Sequence, residues 1–524
     1  ATADHFLEGL AGWSFLGWTS GSLGMAVRHF VGAWAVLVLA GILYLAFRRF
    51  VLRPPALGEH LSWSSGAVAF FIAALMATYL YGLYGTPHGS SAWEVNWWVH
   101  SLFVLGFPPL IVRSKHLHLV LGPFAVFFKD PVMGRLLPLD FEAEETGVEK
   151  PLELSKPVAL GVFSCVECGR CQDQCPAYNT GKELNPKQVI LDLRKAFLED
   201  PEEPVLGKHL DPKVIWQCTS CGACSWQCPV GVEQLNPILE LRRGRVSEGE
   251  FPGPLETLFR NLERSGNPWS YPRQKAEDRI ESLGLPRYEG QEVLWWMGCM
   301  GRYDDGYEAA VRGFARLLRA SGVSFGVLPG EKCTGDAARR AGNEFLFAEL
   351  ASHNVEILNA SGAKRIVATC PHCVRALEEY KDLGENQGVE KPLDSGIRIE
   401  HAVRFLAGLL GEGRLKLQGA PALEKALLHD PCYLSRHENG GTWEEFRECV
   451  AAAGTKALEP RRTKGRSFCC GAGGAQVFNE EEGEKRINHD RVEEFLSIGS
   501  EPVATACPFC GMMLKDGFKD KGVE

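Results

Sequence analysis

Two cysteine runs constrain this chain more than any other feature: Cys165-x-x-Cys168-x-x-Cys171-x-x-x-Cys175-Pro176 and Cys218-x-x-Cys221-x-x-Cys224-x-x-x-Cys228-Pro229. At that spacing three close thiolates hold one iron–sulfur cluster and the fourth reaches across to its neighbour. The runs therefore predict two cubane 4Fe–4S clusters. One would sit on Cys165, Cys168, Cys171 and Cys228, the other on Cys218, Cys221, Cys224 and Cys175. A zinc ribbon or disulfides are the alternatives, but zinc sites rarely use this four-cysteine spacing closed by proline.

At 524 residues the chain exceeds what one core supports and should divide into several domains. Its net charge of −9 and lack of a basic block exclude a nucleic-acid partner. Residues 30–47, 66–84 and 93–112 are apolar stretches near the roughly 20 residues that a bilayer span needs. Three in succession without turn-rich breaks indicate a membrane domain rather than buried core helices. Arg48, Arg49 and Arg53 follow the first stretch, and Arg113 and Lys115 follow the third, whereas residues 1–27 and 85–95 hold no Lys or Arg. The positive-inside rule then places everything after residue 113 in the cytoplasm of a bacterial or archaeal cell, bound to its inner membrane. A reducing compartment argues for metal over disulfides. The chain does not begin with Met, and residues 1–25 read as a Trp/Gly-rich outer loop, so earlier spans are expected to precede it.

The expected architecture is multi-domain. Residues 1–130 form an all-α transmembrane bundle, 131–160 a polar linker, and 161–248 an α-helical two-cluster domain of ferredoxin type, with helical patterns over 186–198 and 237–245. Residues 249–290 read as a Pro- and charge-rich connector. The remainder, 291–420 and 421–524, repeats one theme. Strand 293–297 precedes Cys299, then come Cys333-Thr334-Gly335, strand 365–369 and Cys370-Pro371-His372-Cys373. Strand 426–429 precedes Cys432, then come Cys469-Cys470-Gly471, strand 502–506 and Cys507-Pro508-Phe509-Cys510. This pattern describes a duplicated α/β module with ligands on loops at the strand ends.

The segments Cys333-Thr-Gly-Asp-Ala-Ala-Arg-Arg-Ala-Gly-Asn-Glu344, His429-Asp-Pro-Cys432-Tyr and Phe468-Cys-Cys-Gly-Ala-Gly-Gly474 resemble the cysteine-rich "CCG" proteins. Those include heterodisulfide reductase catalytic subunits, the iron–sulfur subunits of glycolate and lactate oxidases, and membrane iron–sulfur reductases linked to fatty-acid oxidation. The resemblance implies a noncubane 4Fe–4S cluster, the expected catalytic centre, on the five-cysteine set Cys432, Cys469, Cys470, Cys507 and Cys510. The first module departs from the pattern at Thr334. Its four ligands, Cys299, Cys333, Cys370 and Cys373, suit a further 4Fe–4S cubane, which is the reading adopted, or tetrahedral zinc. Cys449 fits no motif and reads as a buried thiol.

Ionisable residues within spans are rare and usually functional. His100 lies in the third stretch and His118 follows 18 residues later. On a continuous helix they would share a face about 27 Å apart, although Pro108 and Pro109 would kink it. The segment from Trp97 to His118 resembles the cytochrome b subunit of respiratory nitrate reductase. The resemblance implies that His100 and either His116 or His118 ligate b haems, two in number. His29 and His60 are candidate partners, although for these and His88 a solvated interfacial histidine is the plainer reading.

The glycines at 471–474 belong to the cluster motif, and no strand–GxGxxG–helix accompanies them, so a flavin must come with a partner. The expected function is quinone-linked electron transfer in a respiratory chain. Electrons would pass from a soluble flavoprotein, by resemblance electron-transfer flavoprotein, through clusters and haems to menaquinone. Two alternatives stay open: a quinol-linked disulfide or heterodisulfide reductase acting at the noncubane cluster, and a passive relay subunit within a larger assembly of further membrane or redox subunits.

Overall fold

Apolar runs placed before each cysteine set the frame of the C-terminal half. The computed structural model describes residues 22–54, 63–87, 89–142, 147–417, 423–437, 441–481 and 483–523. It falls into two compact units, Ala1–Phe127 with Phe163–Gly169, and Phe128–Val162 with Arg170–Glu524.

In the second unit, strands β1 (Val293–Trp296), β2 (Phe325–Gly326), β3 (Arg365–Ala368) and β4 (Arg398–His401) form a parallel sheet of order β2-β1-β3-β4. Strands β5 (Lys425–His429), β6 (Lys456–Leu458) and β7 (Val503–Thr505) form a second parallel sheet of order β6-β5-β7. Leu294 pairs with Ile366, and Leu427 with Val503. Strand β1 is apolar throughout because both faces are covered, as parallel sheets require. Alternation decides which face each side chain joins. Trp295 packs with Phe314 and Phe325 on one side, while Leu294 and Trp296 join Phe347 and Val355 on the other. Each such side chain contributes about 1.5–3 kcal/mol by leaving water.

Two segments read as connections prove to be packed structure. Residues 249–290 contain helices Gly253–Ser265 and Arg273–Ser282. Leu255, Leu258, Phe259 and Leu262 make one buried stripe, which packs in the core that includes Cys299 and Cys333. The charges that suggested a connector are the helices' wet faces. Linker residues Leu136, Val148, Leu154 and Val158 are likewise buried. The carbonyls of Gly134, Leu136 and Leu137 accept hydrogen bonds from Arg340, Arg339 and Arg243.

Among its described residues the first unit holds three long helices, Ser22–Phe47, Trp63–Leu80 and Ser91–Val112. With their π-helical extensions, the stretches Gly24–Leu52, Trp63–Gly85 and Ser91–Val112 are long and apolar enough to cross a membrane. Phe30, Leu37, Phe70, Leu102 and Leu105 stand exposed on them. Exposed apolar surface of that extent fits association with a membrane. Between the helices Phe71 packs on Phe103 and Phe107, with ring centroids 5.4 and 6.3 Å apart.

The third helix does not continue to His118. It absorbs Pro108 and Pro109, ends at Val112, and gives way to a short turn, Lys115–Leu117, before a new helix His118–Phe127. Ser114 makes the break. Its hydroxyl accepts the His116 N–H at 3.3 Å, offering the backbone a turn instead of a helical bond. The shared-face relation of His100 and His118 is therefore lost. His116 and His118 instead lie side by side, with ring centroids 5.6 Å apart.

Candidate functional site

The two cysteine runs adopt the same local turn. Glu167 and Ser220, each just before the second cysteine, have φ of 57° and 51°, and Gly169 and Gly222, each just after it, have φ of 83° and 70°. Left-handed backbone at a non-glycine residue is strained and tends to cluster at functional sites. Cys165 and Cys168 belong to the first unit's segment Phe163–Gly169, while Cys171, Cys175 and the whole second run belong to the second unit.

Within the second unit Cys175, Cys218, Cys221 and Cys224 lie close enough to repel one another as thiolates. Burial, reinforced by Cys218, Cys221, Cys175 and Cys171, pushes the Cys224 thiol well up. Three buried cysteines and the half-buried Cys224, all resisting ionisation by themselves, fit a site completed by a cationic metal cluster. Backbone N–H groups already point at the sulfurs. Ser220 N–H donates to Cys218 Sγ at 3.4 Å, and Val232 N–H to Cys228 Sγ at 3.2 Å.

Both modules gather their cysteines at the C-terminal ends of parallel strands, where loops converge. In the first, Cys299 lies against Cys333 and Cys373 against Cys370, and all four thiols interact. In the second, Cys469 contacts Cys432 and Cys470, Cys470 Sγ lies 3.3 Å from Cys510 Sγ, and Cys510 contacts Cys507. Cys449 stands apart, its thiol donating to Val403 O at 3.6 Å.

The three groups of sulfurs are contiguous. Cys507 lies against Cys370 of the first module, and Cys221 against Cys469 of the second. Gly473 and Gly474 permit the second approach. A Cβ on either would lie 2.4 Å from Thr219 O or 2.3 Å from Cys218 O. The glycines after the adjacent cysteines thus bring the second module onto the Cys218 loop.

Several polar residues around these sulfurs escaped the sequence reading. His372 Nδ1 lies 2.8 Å from Asp336 Oδ2, and its ring lies tilted against Tyr433 with centroids 4.1 Å apart. Burial opposes its charging, yet Asp336 and the sulfur of Cys507 hold its pKa well above the ordinary value. Arg340, Arg339 and Arg375 converge on Glu379 at 2.5–2.7 Å, and Arg243 and Arg339 on Glu344 at 2.9 and 3.0 Å. Burial would raise the Glu379 carboxyl, but these three guanidinium groups hold it far below the usual range. Asp336, Arg339, Arg340 and Glu344 all come from the motif that follows Cys333, so that motif is an interior ion network. At the end of β5, His429 sits with Cys470 and Cys510, their donor atoms within 4.8 Å of one another. Arg491 Nε donates to His429 Nδ1 at 3.2 Å.

In the membrane unit His100 is buried, and its Nδ1 lies 2.7 Å from Thr78 Oγ1. The Thr78 hydroxyl donates to Ala74 O at 2.7 Å, so its oxygen accepts from His100 Nδ1–H. His29 is exposed, with Nδ1 3.1 Å from Tyr84 Oη. His60 and His88 lie outside the described residues.

Residues 293–378 and 426–515 match the cysteine-rich domain family, and 161–232 match the 4Fe-4S dicluster domain. The chain is 32% identical, over 99% of its length and 84% of the relative's, to the "Probable iron-sulfur-binding oxidoreductase FadF" of Bacillus subtilis (strain 168). It is 32% identical, over 92% and 78%, to the "EtfAB:quinone oxidoreductase" of Syntrophomonas wolfei. To the "Probable membrane-anchored ferredoxin" of Chromohalobacter salexigens it is 29% identical over 94% and 80%. No solved structure matches the chain.

Proposed function

The chain belongs to the iron–sulfur oxidoreductases built on the cysteine-rich CCG domain, and from that premise we propose that it carries electrons from a soluble flavoprotein to membrane quinone. One observation carries this reading: three buried sulfur sites join through Cys370–Cys507 and Cys469–Cys221 into a single path. Iron–sulfur clusters, when bound, pass one electron at a time. Cys299, Cys333, Cys370 and Cys373 would hold the first, as a cubane in preference to zinc. The five cysteines of the second module would hold the noncubane cluster, and the two ferredoxin-type runs would hold two cubanes. The Syntrophomonas relative, described as acting between EtfAB and quinone, supports an electron-transfer flavoprotein as donor.

We place the membrane end of the path at b haems, with His100 as one ligand and His116 or His118 as another, and menaquinone as acceptor. The positive-inside rule, applied to the basic residues Arg48, Arg49 and Arg113, supports iron–sulfur modules on the cytoplasmic face. His100→Ala should lose b-type absorbance, and an unchanged haem spectrum would remove this assignment.

The disulfide-reductase reading needs a cleft beside Cys469 and Cys470. A cavity does lie between the modules, but Cys333, Cys370, His372, Gly473, Phe478 and Phe509 line it, and Cys469 and Cys470 are not in its walls. That cavity therefore does not supply such a cleft. Stopped-flow mixing of the oxidised enzyme with reduced electron-transfer flavoprotein and a menaquinone analogue tests the electron-transfer reading. Cluster bleaching should precede haem reduction, and haem should reoxidise as quinol appears. If quinol reduced the centres and the flavoprotein bleached nothing, the reductase reading would replace ours.

A further inference from the structure

Two fully buried arginines flank the junction between the Cys218 loop and the second module, and they differ in how their N–H groups are used. Arg242 spends its donors on four carbonyls, those of Ile215, Arg340, Gly474 and Cys218, at 2.7–3.1 Å. It is a staple. Arg436, in the π-helical turn Tyr433–His437 that follows Cys432, donates from Nε to Cys221 O at 2.8 Å. Its Nη1 donates to Gly465 O and Ser467 O at 3.3 and 2.8 Å. Its Nη2 is buried and has no hydrogen-bond partner among the described residues. No carboxylate pairs with Arg436 among those residues either.

A buried guanidinium without an anion costs several kcal/mol. The groups that face Arg436 are sulfurs of two different sites, Cys221 and Cys224 from one and Cys432 and Cys469 from the other. The orphaned Nη2 therefore fits two electron-rich clusters meeting at one cation. Reduction adds negative charge to either centre, and a fixed positive charge beside it favours the reduced form. Because Cys221 and Cys469 touch, an electron on one centre also opposes an electron on the other. A cation at the junction relieves that opposition.

We propose that Arg436 is the shared counter-charge of the two adjoining centres, on Cys175/Cys218/Cys221/Cys224 and on Cys432/Cys469/Cys470/Cys507/Cys510, and raises both reduction potentials together. The proposal rests on both sets of cysteines holding clusters, as read above. Its test is an EPR-monitored redox titration of the full chain in detergent, with Arg436→Gln and Arg436→Lys. In Arg436→Gln both midpoints should fall, each reduction constant dropping about tenfold, which is ~59 mV for a one-electron couple. Arg436→Lys, which keeps the charge, should hold both near the wild-type values.

If neither midpoint moved in Arg436→Gln, or only one did, the shared role would be overturned. Where Arg436→Gln failed to load its clusters, Arg436→Lys decides. Loaded clusters at wild-type midpoints support the counter-charge, while lowered midpoints or lost clusters mark the arginine as scaffold and overturn it. Midpoints are equilibrium quantities independent of donor and acceptor. A failure of the flavoprotein-to-quinone reading would leave them where they are, so the two failures are distinguishable.

Discussion

The two cysteine-rich modules share a frame and exchange its furnishings. Three residues before the leading cysteine, the first module has Trp296 and the second His429. At the adjacent-cysteine position the pair is Thr334 and Cys470, two residues further on it is Asp336 and Ala472, and inside the Cys-Pro-x-Cys turn it is His372 and Phe509. Polarity is thus inverted. The first module is apolar beneath its sulfurs and ionic beside them, tied through Asp336 into the Arg340–Glu379 network. The second is apolar beside its sulfurs, with a histidine beneath. Where the modules meet, His372 and Phe509 lie edge to face at 5.6 Å. Duplication supplied two identical loop positions, and divergence gave one site a rigid ionic wall and the other a fifth sulfur with adjustable hydrogen bonding.

The largest effect expected from this contrast is at Cys470. Cys470→Ser removes the fifth thiolate from the only complete set, and turnover with flavoprotein and quinone should fall to background while one EPR-active centre disappears. Retained turnover would make the five-sulfur set dispensable and erase the distinction between the modules.

Next comes the ionic wall. Glu379→Gln leaves Arg339, Arg340 and Arg375 buried without their common carboxylate, a loss of about 3–5 kcal/mol. Thermal unfolding followed by circular dichroism should show it. Because the folded carboxyl is held low, its stabilisation is complete above its unfolded pKa, roughly 4.3. It is lost as pH falls from there towards the folded value. The wild type should therefore lose stability below about pH 4.3 more steeply than Glu379→Gln. Parallel pH curves would show that the network is not what secures the first module.

Much of this contrast could be read in the sequence, and the part that could not has one physical cause. Strands β1, β3 and β5 were legible because parallel strands covered on both faces are apolar runs, each ending shortly before a cysteine, and the half-buried β7 by the same place before Cys507. The membrane helices were legible for the same reason, by length and hydropathy. Charged residues were misread because sequence alone assigns them to the surface. Arg242, Arg243, Arg339, Arg340 and Arg436 are instead among the most buried side chains of the chain. They are interior because backbone carbonyls, carboxylates and thiolates distant in sequence meet them there. The break at Ser114 was hidden likewise, since a side-chain hydrogen bond and not a proline makes it. His429 stood inside a quoted motif, but only the fold shows its ring beside Cys470.

His429 offers a smaller and sharper test. With Nδ1 accepting from Arg491, the neutral ring has its proton on Nε2, the one N–H it can give to the Cys470 thiolate. Hydrogen bonds to sulfur raise a cluster's potential. His429→Ala should lower the second module's midpoint by several-fold in the reduction constant and leave that of the Cys221 site in place. Movement of both would mean that the histidine acts through the fold and not through Cys470.

The smallest effect belongs to Thr334→Cys, which tests whether a missing sulfur alone separates the modules. Thr334 is buried, and its carbonyl accepts the Tyr380 hydroxyl at 2.8 Å, a bond the substitution keeps. The change swaps a hydroxyl for a thiol and deletes a methyl group, so stability should shift by only about 1 kcal/mol, or ~2–4 °C in Tm for a domain of this size. The new thiol would still face Asp336, His372 and the guanidinium groups behind them, where the second module presents Ala472 and Phe509. We therefore expect iron content and EPR signals to stay as in the wild type, with turnover unchanged. A second noncubane signal in Thr334→Cys would show that the fifth sulfur by itself converts one module into the other, and that the ionic wall has no part in the choice.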